Sequence, residues 1–433
     1  MSVDYEALIK RNVFVLLTGF ALSADAFDRY VSLDGTNDAG NGYNTWAGAA
    51  TQIQWAVSAA GAGETVWVSN GIYYLTNQIA IGNVKLRSWP DGSSRRDTTI
   101  VNGNYPAYTN RCFLLNNAAA LAEGFTITNS CSSGIAQGSA VTITAGTLRN
   151  CLVTGNITTD TTHSAGVYLS GASSVATNCR VEINIGYQYG AGVYLTSSAR
   201  LLNCRVFSNR TTSATFGRGA GVHMDSGSLV DGCHITGNMS TNGTTTFGGG
   251  IFSDGGTIRN CLIARNSAYS GAVYFRGVTA MENCTVVSNY SAYQPGIVLN
   301  AAAACTIRNV IAWRNRYSAA LDIDIWDQKT ATVPTYYTNC AFGLVYDAAA
   351  PAAKPWRGVN NIDLSAVSPG FVDPQAGNYR LQESSPCVNA GIYQAWMAGS
   401  MDLDGHARID RFFGIVDMGC YEYLPGGIMF KVR

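Results

Sequence analysis

The sequence predicts an all-β solenoid in which the strands of successive turns of chain stack in parallel. Three observations predict it. A two-residue phrase begins at Asn150, Asn178, Asn203, Gly232, Asn260, Asn283, Asn309 and Asn339, at intervals of 28, 25, 29, 28, 23, 26 and 30 residues, and its second member is cysteine in all but the Asn309 case. Five residues past that second member, the first seven copies place Asn156, Asn184, Asn209, Asn238, Asn266, Asn289 and Asn315. A small residue followed by alternating side chains leads each unit: Gly166-Val-Tyr-Leu, Gly192-Val-Tyr-Leu, Gly221-Val-His-Met, Gly250-Ile-Phe-Ser, Ala272-Val-Tyr-Phe, Gly296-Ile-Val-Leu and Ala320-Leu-Asp-Ile.

Both phrases alternate with period two, carry β-branched residues and are broken by Gly, Asn and Ser, so each unit reads as two or three short strands joined by turns. Intervals this short leave no room for helical crossovers. Each coil then lies about 4.8 Å from the one before, and equivalent residues form columns. Val167, Val193, Val222, Ile251, Val273, Ile297 and Leu321 make one inward column. The cysteines make a second, and Val153, Val181, Val206, Ile235, Ile263 and Val286 a third. The asparagines from Asn156 to Asn315 are expected to accept a left-handed turn conformation and to donate their amides from coil to coil. The cysteine column is expected to pack rather than react, since thiols are small and apolar and no zinc-type Cys/His spacing occurs.

The chain has 433 residues with 28 basic and 28 acidic side chains, a formal net charge of zero. This balance removes the electrostatic case for a nucleic-acid partner. No apolar run reaches the roughly 18 residues needed to cross a bilayer, so no membrane insertion is expected. At the start, Lys10 and Arg11 precede the apolar stretch Val13 to Leu22, and Ala24-Asp25-Ala26 follows. This is the pattern of a signal peptide over 1–26, and it predicts a secreted or cell-surface protein.

These phrases resemble secreted right-handed parallel β-helix proteins of the pectin-lyase-like superfamily, with repeats similar to those of bacterial polymorphic outer-membrane proteins. Tyr30-Val-Ser-Leu-Asp-Gly, Thr51-Gln-Ile-Gln-Trp-Ala-Val and Gly63-Glu-Thr-Val-Trp-Val-Ser-Asn-Gly-Ile-Tyr resemble the N-terminal cap of such proteins, in which a short amphipathic helix covers the first coil. Ser385-Pro-Cys-Val-Asn-Ala-Gly, Asp402-Leu-Asp-Gly and Val416-Asp-Met-Gly-Cys-Tyr-Glu-Tyr resemble the C-terminal module of bacterial surface proteins. The resemblance implies a single right-handed parallel β-helix of about ten coils, with a helical cap, over 27–340 and an irregular C-terminal cap over 341–433. Cys387 and Cys420 stand where the family more often has a small residue, which implies a disulfide between them in an exported protein. Cys112 and Cys131 are a second candidate pair.

Counting from each leading small residue, the position two on points outward and reads Tyr168, Tyr194, His223, Phe252, Tyr274, Val298 and Asp322. The position four on reads Ser170, Thr196, Asp225, Asp254, Arg276, Asn300 and Asp324, and three before the lead stand His163, Tyr189, Arg218, Phe247, Tyr269, Tyr293 and Tyr317. Flat aromatic faces beside polar edges suit sugar rings, so Tyr168, Tyr194, Phe252, Tyr274 and the group Asp322, Asp324 and Trp326 are candidate carbohydrate contacts. Asp225 and Asp254, one coil apart with Arg276 on the next, could hold Ca²⁺ or a uronate. With His223 as base they form a candidate catalytic set, although the enzyme families' Gly-His-Gly, Asp-Asp, Asp-Pro-His and R-x-P-x-x-R patterns are absent. Asp402-x-Asp404-Gly405 lacks the remaining spaced ligands of a calcium loop and reads as a turn.

The expected function is therefore an exported, non-catalytic adhesive or carbohydrate-binding protein that engages polysaccharide and requires no cofactor beyond, at most, Ca²⁺. A polysaccharide lyase or glycoside hydrolase is the alternative. A self-associating structural subunit of a filament or envelope is the second alternative.

Overall fold

The computed structural model describes residues 27–425 apart from 90–94, 133, 135–139, 160–163, 214, 241–242, 301–304, 318–320, 329–335, 348–357 and 410–413. The expected signal peptide, His163 and Ala320 lie outside the described residues. Among those described, no helix is long and apolar enough to cross a membrane.

The period-two phrases fold as strands, and the strands stack in parallel. One coil runs through Val193–Thr196, Arg200–Leu202, Arg205–Phe207, Arg210–Thr211 and Gly217–Arg218, with a turn after each. The leading strands pair in strict register, Val167 with Val193, Val193 with Val222, Val222 with Ile251, Ile251 with Val273 and Val273 with Ile297. All are fully buried. A 12-stranded sheet carries the third column, where Val153, Val181, Val206, Ile235, Ile263 and Val286 align. The cysteines from Cys151 to Cys284 lie inside the same core. Burial pushes the thiols of Cys151, Cys179 and Cys261 up, and that of Cys340 to about 12, so these four stay protonated and pack as small apolar groups. Helix Ile53–Ala59 buries Ile53, Ala56 and Val57 against the first strands.

The asparagine column is a hydrogen-bonded ladder. Each Nδ2 donates to the Oδ1 one coil on, at 2.9 Å for Asn156 to Asn184, 3.0 Å for Asn209 to Asn238 and 3.0 Å for Asn238 to Asn266. The same oxygens accept the backbone N–H of the preceding ladder residue. The leading glycine is explained by this ladder: a Cβ on Gly221 would lie 2.9 Å from Asn238 Nδ2 and 2.6 Å from the Gly250 carbonyl. The left-handed conformation is displaced from where the sequence put it. It falls on the asparagine that opens the Asn-Cys phrase, with φ of 54° at Asn178, 53° at Asn203 and 53° at Asn260, and on the residue just before each ladder asparagine. The ladder residues keep ordinary φ because their side chains must point inward to meet one another.

Two further expectations are corrected. The unit led by Ala320 was read one strand early: Ile297 pairs with Ile325, so Ile325 is the inward residue and Trp326 the outward one. Leu321 is 46% exposed, and its short strand pairs antiparallel with Arg316–Tyr317. The second correction concerns Asp324, expected to contact sugar. It is 2% exposed and ends the ladder, with Oδ1 accepting from Asn315 Nδ2 at 2.9 Å and Oδ2 from the Gly343 N–H at 2.8 Å. A carboxylate only accepts, so it terminates a column in which every amide both accepts and donates.

Burial raises the Asp324 carboxyl to about 7 in spite of these bonds, and raises Glu422 to about 8. Because both folded values lie above the unfolded ones, their contribution to stability is complete below about pH 4 and is lost as pH rises through 7 to 8. The unfolding midpoint should therefore fall between pH 4 and 8. Asp324→Asn should flatten its share of that slope, a few kcal/mol at most, whatever its effect on absolute stability. A midpoint series against pH that gives parallel curves for the two proteins would contradict this.

The strands continue past residue 340, through Val345–Asp347 and Ile362–Asp363. The segment beyond lies along the flank of the solenoid. Leu364, Phe371, Tyr379, Leu381, Met418 and Tyr421 form a second core with Leu262, Val287, Ile311 and Ala341, the residues that point out of the solenoid sheet. The left-handed asparagines fasten it: Asn260, Asn283, Asn309 and Asn339 donate to the carbonyls of Met401, Asp417, Ile392 and Ala390. Cys387 and Cys420 are not bridged to each other, and neither are Cys112 and Cys131; all four are buried thiols. Cys387 sits beside Ser385, whereas Cys420 turns to Thr285 and Cys284 on the solenoid, so the two face different neighbours.

Candidate glycan-binding face

Strand pairing places Tyr168, Tyr194, His223, Phe252 and Tyr274 in one outward column, continued by Val298 and Trp326. Among the described residues the expected exposed aromatic stripe is absent, because residues of the neighbouring short strands fold over it. Phe252 is 1% exposed, Tyr274 5%, Tyr168 7% and His223 2%. Phe252 and Tyr274 stack at 5.5 Å and, with Val298, Phe247 and Trp326, form a small core outside the solenoid. Trp326 in turn stacks on Tyr346 at 4.0 Å. The cover comes from the column three residues before each lead: Tyr189 lies over Tyr194 and His223, and Phe247 over Tyr274. These rings stabilise the face by packing, and their flat sides are not presented to a sugar.

The polar column remains accessible. His223 Nε2 lies 3.4 Å from Asp225 Oδ1 and 3.5 Å from Asp254 Oδ2, so one buried imidazole edge joins carboxylates on successive coils. Its ring is held between Tyr194 at 4.5 Å and Phe252 at 5.2 Å. Tyr194 donates its hydroxyl to Asp225 Oδ2 at 3.3 Å. Arg276 donates from Nε and Nη2 to the two oxygens of Asp254. Burial by itself would raise the Asp254 carboxyl, but the hydrogen bonds and charges of His223 and Arg276 hold it below its ordinary value. Burial raises the Tyr194 hydroxyl, and the Asp225 charge raises it further, so it stays a donor.

Sequence reasoning placed Arg218 in the covering column without a site role. Its guanidinium lies 4.1 Å from the Phe216 ring centre and 4.9 Å from that of Phe252, while Arg276 approaches Phe252 from 5.4 Å. Burial and the neighbouring Arg276 charge hold Arg218 below the usual arginine range. Two carboxylates and two guanidiniums thus share one patch. Asp322, expected as a carbohydrate contact in a second group with Asp324 and Trp326, faces Arg316 at 3.8 Å.

His223, Asp225 and Asp254 bring one ligand atom each within 4.8 Å of one another. A calcium shell takes about six to eight oxygens. One of the three donors here is an imidazole nitrogen, and Asp254 is held at both oxygens by Arg276, so this donor set does not match Ca²⁺. The guanidiniums supply the positive charge that a cation would. The second such trio, Asp402, Asp404 and His406, is a turn: Asp402 Oδ1 accepts the N–H groups of Asp404 and His406, and Asp404 pairs with Arg380.

Residues 144–312 match the family described as the right handed beta helix region. No curated protein matches the chain. Among solved structures the chain is similar to pectate lyase Pel9A, at 12% identity over 92% of this chain and 98% of that one, with a TM-score of 0.52. It also aligns with XylC in complex with xylose, at 9% identity over 80% and 87% of the two chains with a TM-score of 0.33. Pectin methylesterase PemA from Erwinia chrysanthemi aligns at 13% identity over 78% and 94%, with a TM-score of 0.27. The parallel coils and the family match together define the class. The chain is a right-handed parallel β-helix protein with the pectin-lyase-like fold.

Proposed function

We propose that this is an exported β-helix protein that engages polysaccharide through Asp225, Asp254 and Arg276 without cleaving it. One observation carries the reading. The side chains of Asp225, Asp254 and Arg276 are 31%, 18% and 46% exposed, whereas that of His223 is 2% exposed and its Nε2 faces the two carboxylates. A general base must come within hydrogen-bond reach of the proton that it removes. A sandwiched imidazole behind two carboxylates is a positioning group, which fixes Asp225 and Asp254 as a pair of acceptors. Ionised carboxylates accept from sugar hydroxyls and the guanidinium donates to them, in charge-assisted bonds. With its charges nearly balanced, the patch favours hydroxyl-rich chains over strongly anionic ones. The fold shared with a pectate lyase fits a polysaccharide partner, and the basic and apolar start of the chain supports export.

The test is retention of the purified chain on a panel of neutral and acidic polysaccharides, with new unsaturated and reducing ends assayed in parallel. Retention without new ends is expected. Asp225→Ala and Arg276→Ala should each weaken it roughly tenfold, with thermal stability changed by no more than about 0.5 kcal/mol at the exposed Arg276 and by about 1 kcal/mol at the half-buried Asp225, which accepts from the Tyr194 hydroxyl. Release of new ends would replace this reading with a lyase or hydrolase, and unchanged retention by both variants would move the functional surface elsewhere.

A further inference from the structure

A second surface has a different charge. Arg265 and Arg314 stand just before ladder residues Asn266 and Asn315, two coils apart, with left-handed φ of 57° and 52°. The turn does not ask for arginine, since the same position holds Gly155, Ile183, Ser208, Gly237 and Ser288 in other coils. At the inter-strand spacing the two residues lie roughly 10 Å apart, about the span of two linked pyranose rings. Arg316 follows Asn315 and pairs in the sheet with Tyr290.

With Trp313 and Gln375 of the C-terminal segment these residues line a groove of about 370 Å³, within the usual size of ligand sites. Among the described residues its lining comprises nine side chains, three of them arginines and none a carboxylate. A neighbouring cavity of about 500 Å³ shares Trp313 and Arg314 but is lined also by Asp322 and Asp324, so the basic character is confined to the first groove. Few of the arginine donors are engaged. Arg265 donates to the Gln375 carbonyl at 2.7 Å, and Arg314 lies flat on Trp313 at 4.3 Å. Arg316 is 3.8 Å from Asp322, with both side chains exposed, a contact worth little. Each guanidinium has five N–H donors in a fork that matches carboxylate or sulfate oxygens.

We propose that this groove binds a segment of an acidic polysaccharide, its carboxylate or sulfate groups held by Arg265, Arg314 and Arg316 and its rings resting on Tyr290 and the Trp313 edge. It is a glycan site separate from the patch around Asp254, and it does not depend on that patch being functional. The full chain would be titrated calorimetrically with oligogalacturonate, with a heparin-derived oligosaccharide and with a neutral cello-oligosaccharide, at low and high salt. At least one acidic probe should bind and the neutral one should not occupy the groove, with affinity falling as salt rises; which acidic probe binds distinguishes carboxylate from sulfate recognition.

Arg265→Gly with Arg314→Gly should weaken that binding roughly tenfold or more, in a folded protein, since glycine suits the left-handed turn. Arg316→Ala should weaken it independently, and Arg276→Ala should leave it unchanged. The proposal is overturned if neither acidic probe binds, if affinity ignores salt, if the double variant binds as well as the parent, or if Arg276→Ala alone abolishes binding.

Discussion

Replacing Asn238 by alanine should lower the stability of the chain by on the order of 4 kcal/mol, or prevent folding. Asn238 is fully buried in the middle of the ladder. Its Nδ2 donates to Asn266 Oδ1 at 3.0 Å and to the Val206 carbonyl at 2.9 Å, while its Oδ1 accepts from the Asn209 backbone and side chain, each at 3.0 Å. Alanine leaves the Asn209 N–H groups and two acceptors with fewer partners in a site that excludes water, and each such group costs about 1–3 kcal/mol. Asn238→Asp should do no better, because a carboxylate would face two acceptors where the amide donates. Asn203 is the control. It is exposed and left-handed, and Gly232 fills its position in the next coil, so Asn203→Gly should change stability by no more than about 0.5 kcal/mol. Denaturant unfolding of the three variants checks the contrast. Similar losses at positions 203 and 238 would mean that the ladder contributes nothing beyond its turn.

That contrast shows what the sequence could and could not convey. The repeat exposed the columns because a parallel stack puts like beside like, and a buried amide leaves little freedom at its position. It did not reveal which of two asparagines per coil bends the backbone, since both are compatible with a left-handed turn. Alternation told which side chains leave the sheet, but Phe252 leaves it only to be covered by Phe247 from the short strand Thr246–Phe247. Burial there depends on contacts that no local pattern encodes. The register slip at Ala320 arose because a small residue followed by alternation recurs by chance, whereas the true lead is Asp324, an acceptor in place of an amide. A signal for the flanking C-terminal segment was present and unread. The outward column Arg180, Arg205, His234 turns apolar at Leu262 and Ile311, where a solvent-facing sheet would stay polar. The polar patch was legible as Asp225, Asp254 and Arg276 at one outward position. The burial of His223 behind them was not.

Arg408→Met should cost about 3–5 kcal/mol, and the loss should be confined to the C-terminal segment. Arg408 is completely buried, pairs with Glu422 and donates to the Gly419 carbonyl. Glu422 also accepts the Asp417 N–H at 3.0 Å, and Asp402 accepts the Glu422 N–H at 2.8 Å, so backbone bonds fix the acid that meets the guanidinium. Burial, with a smaller contribution from the Asp417 charge, already raises the Glu422 carboxyl to about 8 with Arg408 in place. Above about pH 8, where Glu422 is ionised, removing the cation leaves a carboxylate that must take up a proton or unfold its surroundings. The loss should therefore shrink as pH falls, and Arg408→Met combined with Glu422→Gln should recover much of it, because removing both charges removes the unpaired one. The segment is joined to the solenoid by apolar contacts and by the amides of Asn260, Asn283, Asn309 and Asn339, all downstream of most of the Asn ladder. Amide exchange should consequently accelerate over residues 364–425 while the coils between residues 141 and 240 keep their protection. Equal acceleration in both regions would mean that the two cores unfold as one unit and that the flanking segment sets the stability of the whole helix.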